Sequence, residues 1–400
     1  MLERVAITGL GVVCGLGLDL DAAWAAALRG ETPARRYSVF DPTGLDVPFG
    51  VELPDGAEAL FVARIRKPHR RLMSRGTQLT LCGASMALED AGAGLDPAWV
   101  GVVVGTMGTG YVRPDGEDDP DRILRAMPNS PAAWMSLVHK LLGPAFVVGT
   151  ACASGVYALA MAFELIRNGT CDAVVAGAGD SSLNRHDVQG FSALLALADA
   201  GEDVRFASRP FDRDRSGFVM GEGSGFVVLE HPERARARRA RVYATMAPPA
   251  LQSEAYNILS PAPGGGGMAR AMGSALTLAG LRAEDIDHIN AHGTATRLND
   301  LYETRAIEAV FGAHARRLLV SSTKSMTGHC LTGAGGVEAV LAVKALAEGI
   351  VPPTATLRNA DPELGLDYVP GTARRADLRH VMSNSFGFGG HNGVVVFSGA

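Results

Sequence analysis

Residues 145–169, AFVVGTACASGVYALAMAFELIRNG, place a cysteine between a predicted strand and a predicted helix. The run AFVV is typical of a buried strand, and the alanine-rich run after Gly155 is typical of an apolar helix. Cys152 lies at the N-terminal end of that helix, where the helix dipole stabilises a thiolate. A free cysteine that packs as a small hydrophobe is the alternative interpretation. The stretch therefore predicts a strand–helix unit and leaves the role of its cysteine open.

The alternation of strands, glycine turns and helices continues along the whole chain. Strands are expected at RVAITGLGVV, WVGVVVGTMG, AFVVGTACAS, CDAVVAGAGD, GSGFVVLE, RVYATMAP, IDHINAHG, RRLLVSSTKS, RHVMSNSFGFGG and HNGVVVFSG, the last two as a hairpin. Helices are expected at DAAWAAALRG, GVYALAMAFELIRNG, GMARAMGSALTLAG, DLYETRAIEAVFG and GVEAVLAVKALAEG. This rhythm indicates an α/β protein with an internal duplication, whose halves join near residues 240–250.

The composition excludes several classes of protein. The chain has 400 residues, of which 47% are hydrophobic and 20% are charged, as in an ordinary globular protein with a substantial core. The net charge of −5 gives no reason to expect a nucleic-acid partner. No run of 18 uncharged apolar residues is present, so no membrane-spanning segment is expected.

Cysteine usage favours a reducing compartment. The cysteines never form a CxxC pair, which argues against a disulfide framework and a thiolate metal site; they are Cys14, Cys82, Cys152, Cys171 and Cys330. The apolar run VAITGLGVVCGLGL has the length of a signal-peptide core, but Glu3 precedes it and Asp19 and Asp21 interrupt the approach to a cleavage site. We therefore expect a cytoplasmic protein, with Cys152 as the one cysteine that is a candidate nucleophile.

Three further chemical side chains follow the ends of predicted strands. His292 follows the strand in IDHINAHG, and Lys324 and His329 follow the strand in RRLLVSSTKS. Open α/β sheets form their sites at the carboxyl ends of strands, so we expect these residues to meet Cys152. A cysteine nucleophile needs such a base and nearby proton donors. Taken singly, a packing histidine or a surface lysine is the alternative for each position.

Motif spacing argues against rival chemistries. Thr150 occupies the first glycine position of a G-x-S-x-G nucleophile elbow. No G-x-G-x-x-G phasing and no G-x-x-x-x-G-K-[ST] loop is present, which disfavours a dinucleotide or nucleotide cradle. The two histidines are too far apart to form a local zinc-binding pair. No metal site is expected.

Five motifs occur in one order along the chain: TACASG, AHGTATRLND, TKSMTGH, GAGG and NSFGFGGHN. Together with RVAITGLGVV and PFDRDRSGFVMGEGSGFVVLE, they resemble the β-ketoacyl-[acyl carrier protein] synthases of the thiolase-fold condensing enzymes. The resemblance covers essentially the whole chain. It implies a thiolase-like fold of duplicated βαβαβαββ halves in an α-β-α-β-α layering. Residues 1–245 would carry the nucleophilic cysteine, and residues 246–400 would carry the histidine, lysine and phenylalanine of the site.

The resemblance also implies a role for each reacting residue. Cys152 would receive an acyl chain from a carrier-protein thioester, and His292 and His329 would support decarboxylation of a malonyl thioester. Lys324 would order the site, supported by Glu338 on the following helix. A Claisen condensation requires such a thiolate, donors for an enolate oxygen and a dry pocket.

Other matching positions imply binding and gating roles. The backbone N–H groups of Cys152 and Phe388 would form an oxyanion hole, with Phe388 and Gly389 in a loop that gates the acyl-cysteine. Thr294 and Thr296 would bind the pantetheine arm. No resident cofactor is implied, because the phosphopantetheine arrives on the carrier protein.

The acyl pocket and the carrier dock follow from two further segments. In GTMGTG, Met107 and Gly108 correspond to acyl-pocket positions, and fatty-acid members often carry a branched residue where this chain has Gly108. That change predicts room for a longer or stiffer chain. In IRKPHRRLMSR, Lys67, Arg70 and Arg71 resemble the docking helix for the acidic acyl carrier protein. A purely solvating role for these side chains is the alternative.

The implied function is fatty-acid-type chain elongation by decarboxylative condensation of an acyl-enzyme thioester with a malonyl group on acyl carrier protein. A type II polyketide or polyene ketosynthase is the alternative within the same chemistry. A non-elongating chain-length partner subunit is the alternative of a different class, but such partners lack the nucleophilic cysteine. A degradative thiolase is disfavoured, because that branch has a second cysteine where this chain has GFGGHNG. The expected assembly is a homodimer, with a heterodimer of two ketosynthase-like chains as the alternative.

Overall fold

The structure is a computed structural model that describes residues 4–107 and 120–400. Within these residues the strands, in chain order, are β1 (Val5–Cys14), β2 (Arg35–Arg36), β3 (Phe49–Gly50), β4 (Val100–Gly105), β5 (Ala145–Val148), β6 (Ala173–Asp180), β7 (Gly223–Glu230), β8 (Ala244–Met246), β9 (Ala250–Ser253), β10 (His288–Asn290), β11 (Leu319–Ser321), β12 (Ile350–Val351), β13 (Arg374–Arg375), β14 (His380–Gly387) and β15 (His391–Ser398).

The α-helices of the same residues are α1 (Leu20–Arg29), α2 (Ala57–Arg64), α3 (Lys67–Arg70), α4 (Arg75–Ala91), α5 (Arg122–Ala126), α6 (Ser130–His139), α7 (Ser154–Arg167), α8 (Arg185–Ala193), α9 (Pro232–Ala237), α10 (Gly266–Ala279), α11 (Arg297–Phe311), α12 (Lys324–Thr327) and α13 (Ala334–Glu348). No helix within these described residues has the length and apolar character needed to cross a bilayer.

Two halves of the main sheet repeat one topology. The strand order is β1-β7-β6-β4-β5 in the first half and β8-β15-β14-β10-β11 in the second. In each half the strand that comes first in the chain (β1 or β8) pairs antiparallel with the strand that comes last (β7 or β15). That last strand also pairs antiparallel with the strand before it in the chain (β6 or β14), and the remaining two pairings are parallel. Antiparallel pairing of β1 with β8 joins the halves. The internal duplication expected from the sequence is confirmed.

Five layers follow from where the helices pack. Helix α4 covers the outer face of the first half-sheet, and α10 covers the outer face of the second, with α11 packed beside α10 in the same apolar cluster. Helices α7 and α13 lie between the two half-sheets. Because α13 is apolar around nearly its whole circumference, it is stable only where both of its sides are buried. The predicted α-β-α-β-α layering is therefore confirmed.

Glycines let the two central helices touch near their N-terminal ends. A Cβ atom on Gly155 of α7 would lie 2.6 Å from the backbone nitrogen of Gly336 in α13. No larger residue fits at this crossing without moving a backbone. The crossing brings the segment before α7, which holds Cys152, beside the segment before α13, which holds Lys324 and His329. The active-site halves thus meet through backbone contact between helices.

The sequence missed the long helix α4 and the shorter helices α2, α6 and α8, and it overestimated several strands. Helix α4 was not predicted, because its sequence RGTQLTLCGASMALEDA contains glycines and threonines that disfavour helices in isolation. Gly83 lets it approach the sheet, where a Cβ would lie 2.4 Å from the Ser224 hydroxyl oxygen. Strands β8, β10 and β11 are shorter than the apolar runs that predicted them, while β14 and β15 form the expected hairpin. The division at residues 245 and 246 remains a proposal, and it falls within β8.

Candidate active site

Cys152 lies in a tight turn between β5 and α7. Ala151, the residue before it, has a φ of 49°, which is uncommon for a residue with a side chain. The Ser154 hydroxyl holds this turn, because it accepts a hydrogen bond from the Thr150 N–H at 2.9 Å and donates one to the Ala151 carbonyl at 2.7 Å. Such local strain is common at functional sites. Cys152 is buried and lines a cavity.

Burial controls the protonation of this cysteine. It raises the pKa of Cys152 to about 11, although the Lys324 charge and the backbone N–H groups of Phe388 and Cys152 lower it. Desolvation of the charged sulfur therefore outweighs the groups that stabilise a thiolate at this position. The sulfur is a thiol at neutral pH and needs a base.

His329 is in position to be that base. Its Nε2 lies 3.1 Å from the Cys152 sulfur, and its ring packs edge-on against Phe218. Burial and the nearby Lys324 charge hold the pKa of His329 well below its usual value, so the ring is neutral. The Nδ1 atom has no hydrogen-bond partner among the described residues. The ring can therefore carry its proton on either nitrogen.

His292 faces the same space from the turn after β10. Its ring centre lies 5.5 Å from that of His329, and its Nδ1 lies 3.4 Å from the Lys324 ammonium nitrogen. An ammonium only donates, so Nδ1 accepts and the ring proton of neutral His292 lies on Nε2. Burial, with the Lys324 charge, holds the pKa of His292 well below its usual value. The side chain is thus fixed as a neutral donor.

Glu303 of α11 anchors the His292 turn and was missed from the sequence. Its carboxylate accepts from the N–H groups of His292 and Gly293, each at 2.8 Å, and from the Asn384 amide at 3.0 Å. Nothing in the sequence distinguishes this glutamate from the surface acids of an amphipathic helix. Its burial arises only when α11 packs against β10 and β14.

Lys324 and Glu338 form a buried ion pair beneath the histidines. The Lys324 ammonium contacts the Glu338 carboxylate, and both side chains are almost fully excluded from solvent. Burial raises the pKa of Glu338 to about 7, against the lowering effect of Lys324. Glu338 holds the Lys324 ammonium beside His292, and that positive charge favours the neutral form of His292.

The end of β14 lies directly against the cysteine turn. A Cβ atom on Gly387 would lie 2.8 Å from the Thr150 carbonyl oxygen and 3.1 Å from the Cys152 nitrogen, so only glycine fits without a shift. The N–H groups of Phe388 and Cys152 both approach the cysteine sulfur. Gly389 follows with a φ of 83°, and its N–H donates to the Ile258 carbonyl at 2.7 Å. The oxyanion hole expected from these two N–H groups stays a prediction.

One cavity of about 430 Å³ connects these groups to solvent. The sequence-predicted residues that line it are Met107, Cys152, His292, Thr294, Thr296, His329 and Phe388. The hydroxyl oxygens of Thr294 and Thr296 lie 2.9 Å apart, with Ala295 between them at a φ of 64°. Lys324 and Glu338 lie behind this surface. The cavity can therefore hold an extended thioester with its reacting end at Cys152.

The apolar wall of the cavity was largely missed. It includes Phe191, Leu194, Phe218 and Leu331. Phe218 belongs to the quoted stretch PFDRDRSGFVMGEG, which could have signalled it, but nothing in the sequence around Phe191 marks a pocket residue. Gly108 lies outside the described residues.

The expected docking side chains lie away from the cavity. Lys67 and Arg70 belong to α3 and Arg71 follows it, and none of them lines the cavity. Lys67 and Arg71 are exposed, and Arg71 pairs with Asp121 at 3.3 Å. These residues form a separate basic surface.

Comparison with known proteins gives one consistent family. Residues 2–235 match the family model of the beta-ketoacyl synthase N-terminal domain, and residues 243–358 match that of the C-terminal domain. The chain is 40% identical to a 3-oxoacyl-[acyl-carrier-protein] synthase 2 of a Synechocystis species, across 99% of this chain and 98% of that protein. It is 39% identical to a protein of the same name from Rhizobium meliloti, with the same coverage of both chains.

Solved structures of similar proteins match this chain over its full length. A beta-ketoacyl synthase from Burkholderia phymatum has a TM-score of 0.91 at 33% identity. The ishigamide ketosynthase/chain length factor has a TM-score of 0.90 at 31% identity. A type II polyketide ketosynthase, solved in complex with its acyl-carrier protein and bound to a hexaketide, has a TM-score of 0.89 at 28% identity. Each comparison covers 100% of both chains.

Proposed function

The chain belongs to the β-ketoacyl synthase family, and from this premise we propose that it condenses an acyl group on Cys152 with a malonyl group carried by acyl carrier protein. The reaction is the decarboxylative Claisen condensation of fatty-acid-type chain elongation. The observation that carries the proposal is the contact between the Cys152 sulfur and His329 Nε2 at 3.1 Å, with His292 facing the same space.

Acyl transfer begins with proton transfer from the Cys152 thiol to His329 Nε2. The sulfur then attacks the thioester carbonyl of the incoming acyl group, and the N–H groups of Cys152 and Phe388 stabilise the oxyanion. When the tetrahedral intermediate collapses, the pantetheine sulfur leaves and takes the proton from His329. The cysteine is left as a neutral thioester, so the buried site carries no extra charge.

Condensation uses both histidines as neutral donors. The Nε2–H groups of His292 and His329 donate to the thioester oxygen of the malonyl group as carbon dioxide leaves, and they stabilise the enolate that forms. The enolate carbon attacks the acyl carbonyl on Cys152, and the cysteine sulfur leaves as a thiolate as the β-ketoacyl product forms. A proton from solvent then returns Cys152 to the thiol. Lys324 keeps the His292 proton on Nε2 throughout. The free Nδ1 of His329 allows that ring to change from acceptor to donor between the two steps.

The alternatives are less favoured. A non-elongating partner subunit has no use for a nucleophile, and the contact of Cys152 with His329 supports one here. One similar solved structure is a type II polyketide ketosynthase and another is a ketosynthase/chain length factor. The relatives at 40% and 39% identity are 3-oxoacyl-[acyl-carrier-protein] synthases. Fatty-acid-type elongation is the function that these relatives support.

We propose acyl carrier protein as the partner and phosphopantetheine as its delivered arm. The basic surface of Lys67, Arg70 and Arg71 supports docking of an acidic carrier. The protein needs no resident cofactor for this chemistry. A cytoplasmic location is supported by the five cysteines, all of which are free and buried.

A homodimer is supported by the free edge of β5. This strand ends the main sheet, and among the described strands it pairs only with β4. Exposed Leu137 and Leu142 lie just before it in the chain. An exposed strand edge beside apolar side chains is a typical site of isologous pairing. Changing both leucines to lysine is expected to give monomers in sedimentation velocity; unchanged dimers would exclude this edge as the interface.

Intact-protein mass spectrometry tests the function. The protein is incubated with a panel of acyl-carrier-protein thioesters beside a Cys152→Ala control. We expect a mass gain of one acyl group in the wild type and none in the control, followed by loss of the acyl group when malonyl-carrier is added. No adduct with any donor would overturn the proposal in favour of a non-elongating partner subunit.

A further inference from the structure

The mouth of the cavity carries a cation that the mechanism does not use. Arg297 is the only lysine or arginine among the described residues that line the cavity. Its side chain is exposed and makes no ion pair with a described residue. Its carbonyl oxygen accepts from the Arg215 guanidinium at 3.3 Å, which holds the backbone in place.

No described carboxylate around the cavity forms an ion pair with Arg297. Glu254 is the one carboxylate among the described lining residues, and its oxygens accept from the Ala262 N–H at 2.8 Å and from the Asn392 amide at 3.1 Å. Arg215, by contrast, pairs with Asp361 at 2.6 Å. Arg297 therefore presents a guanidinium without an ion-pair partner among the described residues, at the entrance where an anionic part of a substrate would pass.

The segment that holds Arg297 rises directly from the reacting centre. His292 and Thr294 are buried, Thr296 is half-buried and Arg297 is exposed, and all of them line the cavity. The backbone from His292 to Arg297 spans at most about 18 Å. A ligand whose reactive end lies at His292 and whose amide region passes the two threonines would place its far end at Arg297.

We propose that Arg297 binds the phosphodiester of the phosphopantetheine arm. This inference rests on the proposed function, because the carrier-borne thioester is the anionic ligand which that function brings to the cavity. A guanidinium matches a phosphate with two parallel hydrogen bonds, and such charge-assisted pairs are strong and directional. Arg297 is thus a positioning residue that sets how deeply the thioester reaches toward Cys152 in both half-reactions.

Matched donors separate the phosphate from the rest of the arm. Octanoyl-phosphopantetheine and octanoyl-pantetheine differ only in the phosphate, and octanoyl-carrier protein adds the protein surface. Acylation of Cys152 is followed with each donor in the wild type, Arg297→Ala, Arg297→Lys and the control Arg316→Ala, which removes an exposed charge outside the cavity.

The two donors that contain phosphate are expected to lose roughly tenfold in kcat/KM in Arg297→Ala, mainly through KM, while the pantetheine donor is unchanged. Arg297→Lys is expected to lose less kcat/KM with these two donors, because lysine keeps the positive charge but lacks the planar guanidinium. Arg316→Ala changes none of the three. An equal loss with both small donors, or a loss confined to the carrier-borne donor, would overturn the proposal.

A binding measurement keeps the inference separate from the proposed function. Phosphopantetheine and pantetheine, without an acyl group, are titrated into the wild type and Arg297→Ala by calorimetry. We expect roughly tenfold tighter binding of phosphopantetheine to the wild type, and no preference in the variant. If no donor acylates the wild type, the proposed function fails while this titration still decides the role of Arg297. The same affinity of the wild type for both compounds would refute it.

Discussion

The sulfur of Cys152 lies 3.1 Å from Nε2 of His329, a residue 177 positions later in the chain. Because the sulfur is protonated at neutral pH, this contact turns a buried thiol into a nucleophile only when the histidine accepts its proton. His292 has no such contact with the sulfur, although its ring faces the same cavity. The two histidines therefore have separable tasks.

Alanine at each histidine tests this separation. His292→Ala is expected to lower malonyl decarboxylation by roughly hundredfold or more and to leave Cys152 acylation largely intact. His329→Ala is expected to lower both steps, because it removes the base as well as a donor. Stopped-flow acylation and release of labelled carbon dioxide measure the two steps. His314→Ala, a change outside the cavity, is the control; acylation that survives in His329→Ala would remove the proposed base.

Alkylation of Cys152 by iodoacetamide tests its protonation state. Only the thiolate reacts, so a pKa of about 11 predicts that the rate keeps rising about tenfold per pH unit beyond pH 9, where an ordinary cysteine levels off. The measurement is peptide mass spectrometry across a pH series, with Cys152→Ala identifying the background from the other buried cysteines. A plateau near pH 7 would contradict the raised pKa.

The buried Lys324–Glu338 pair makes a prediction about stability. Lys324→Met removes the charge that lowers the pKa of Glu338, so that pKa rises further above its unfolded value. The folded form then keeps a proton that the unfolded form releases, and the free energy of unfolding falls as pH rises from 5 to 8. We expect a loss of about 3–5 kcal/mol at pH 8 and a smaller loss at pH 5.

Urea unfolding at the two pH values measures this effect. Lys344→Met, which breaks a less buried i,i+4 pair with Glu348, is the matched control and is expected to cost about 0.5 kcal/mol at either pH. The double variant Lys324→Met/Glu338→Leu is expected to regain most of the stability without regaining activity. A pH-independent loss in Lys324→Met would mean that Glu338 does not respond to its partner.

Gly387→Ala tests the backbone contact at the nucleophile. The added methyl group would lie 3.1 Å from the Cys152 nitrogen and 2.8 Å from the Thr150 carbonyl oxygen, so the turn or β14 must shift. We expect acylation to fall by roughly hundredfold, as when an oxyanion donor is lost, with little change in the folded fraction. Gly273→Ala in α10, where a Cβ meets nothing within 4 Å, is the control. Full activity in Gly387→Ala would show that catalysis does not depend on the position of the Phe388 N–H.

Much of the fold could be predicted because its signals are local. The strand–helix alternation, the C-terminal hairpin and the turns that hold Cys152 and His292 follow from periodicity and glycine placement over short windows. Helix α4 could not be predicted in this way. Its glycines and threonines are poor helix formers alone, and packing against β1, β6 and β7 stabilises it.

The sequence by itself determined which chemical groups the chain holds and at which strand ends they lie: Cys152, His292, Lys324 and His329. Only the tertiary structure decided that Glu303 anchors the His292 turn, that Phe191 and Phe218 wall the cavity, and that the Cys152 thiol keeps its proton. The physical reason is that contacts and desolvation depend on every element packed around a group. The central crossing of α7 and α13 determines that packing, and no stretch of sequence contains both helices.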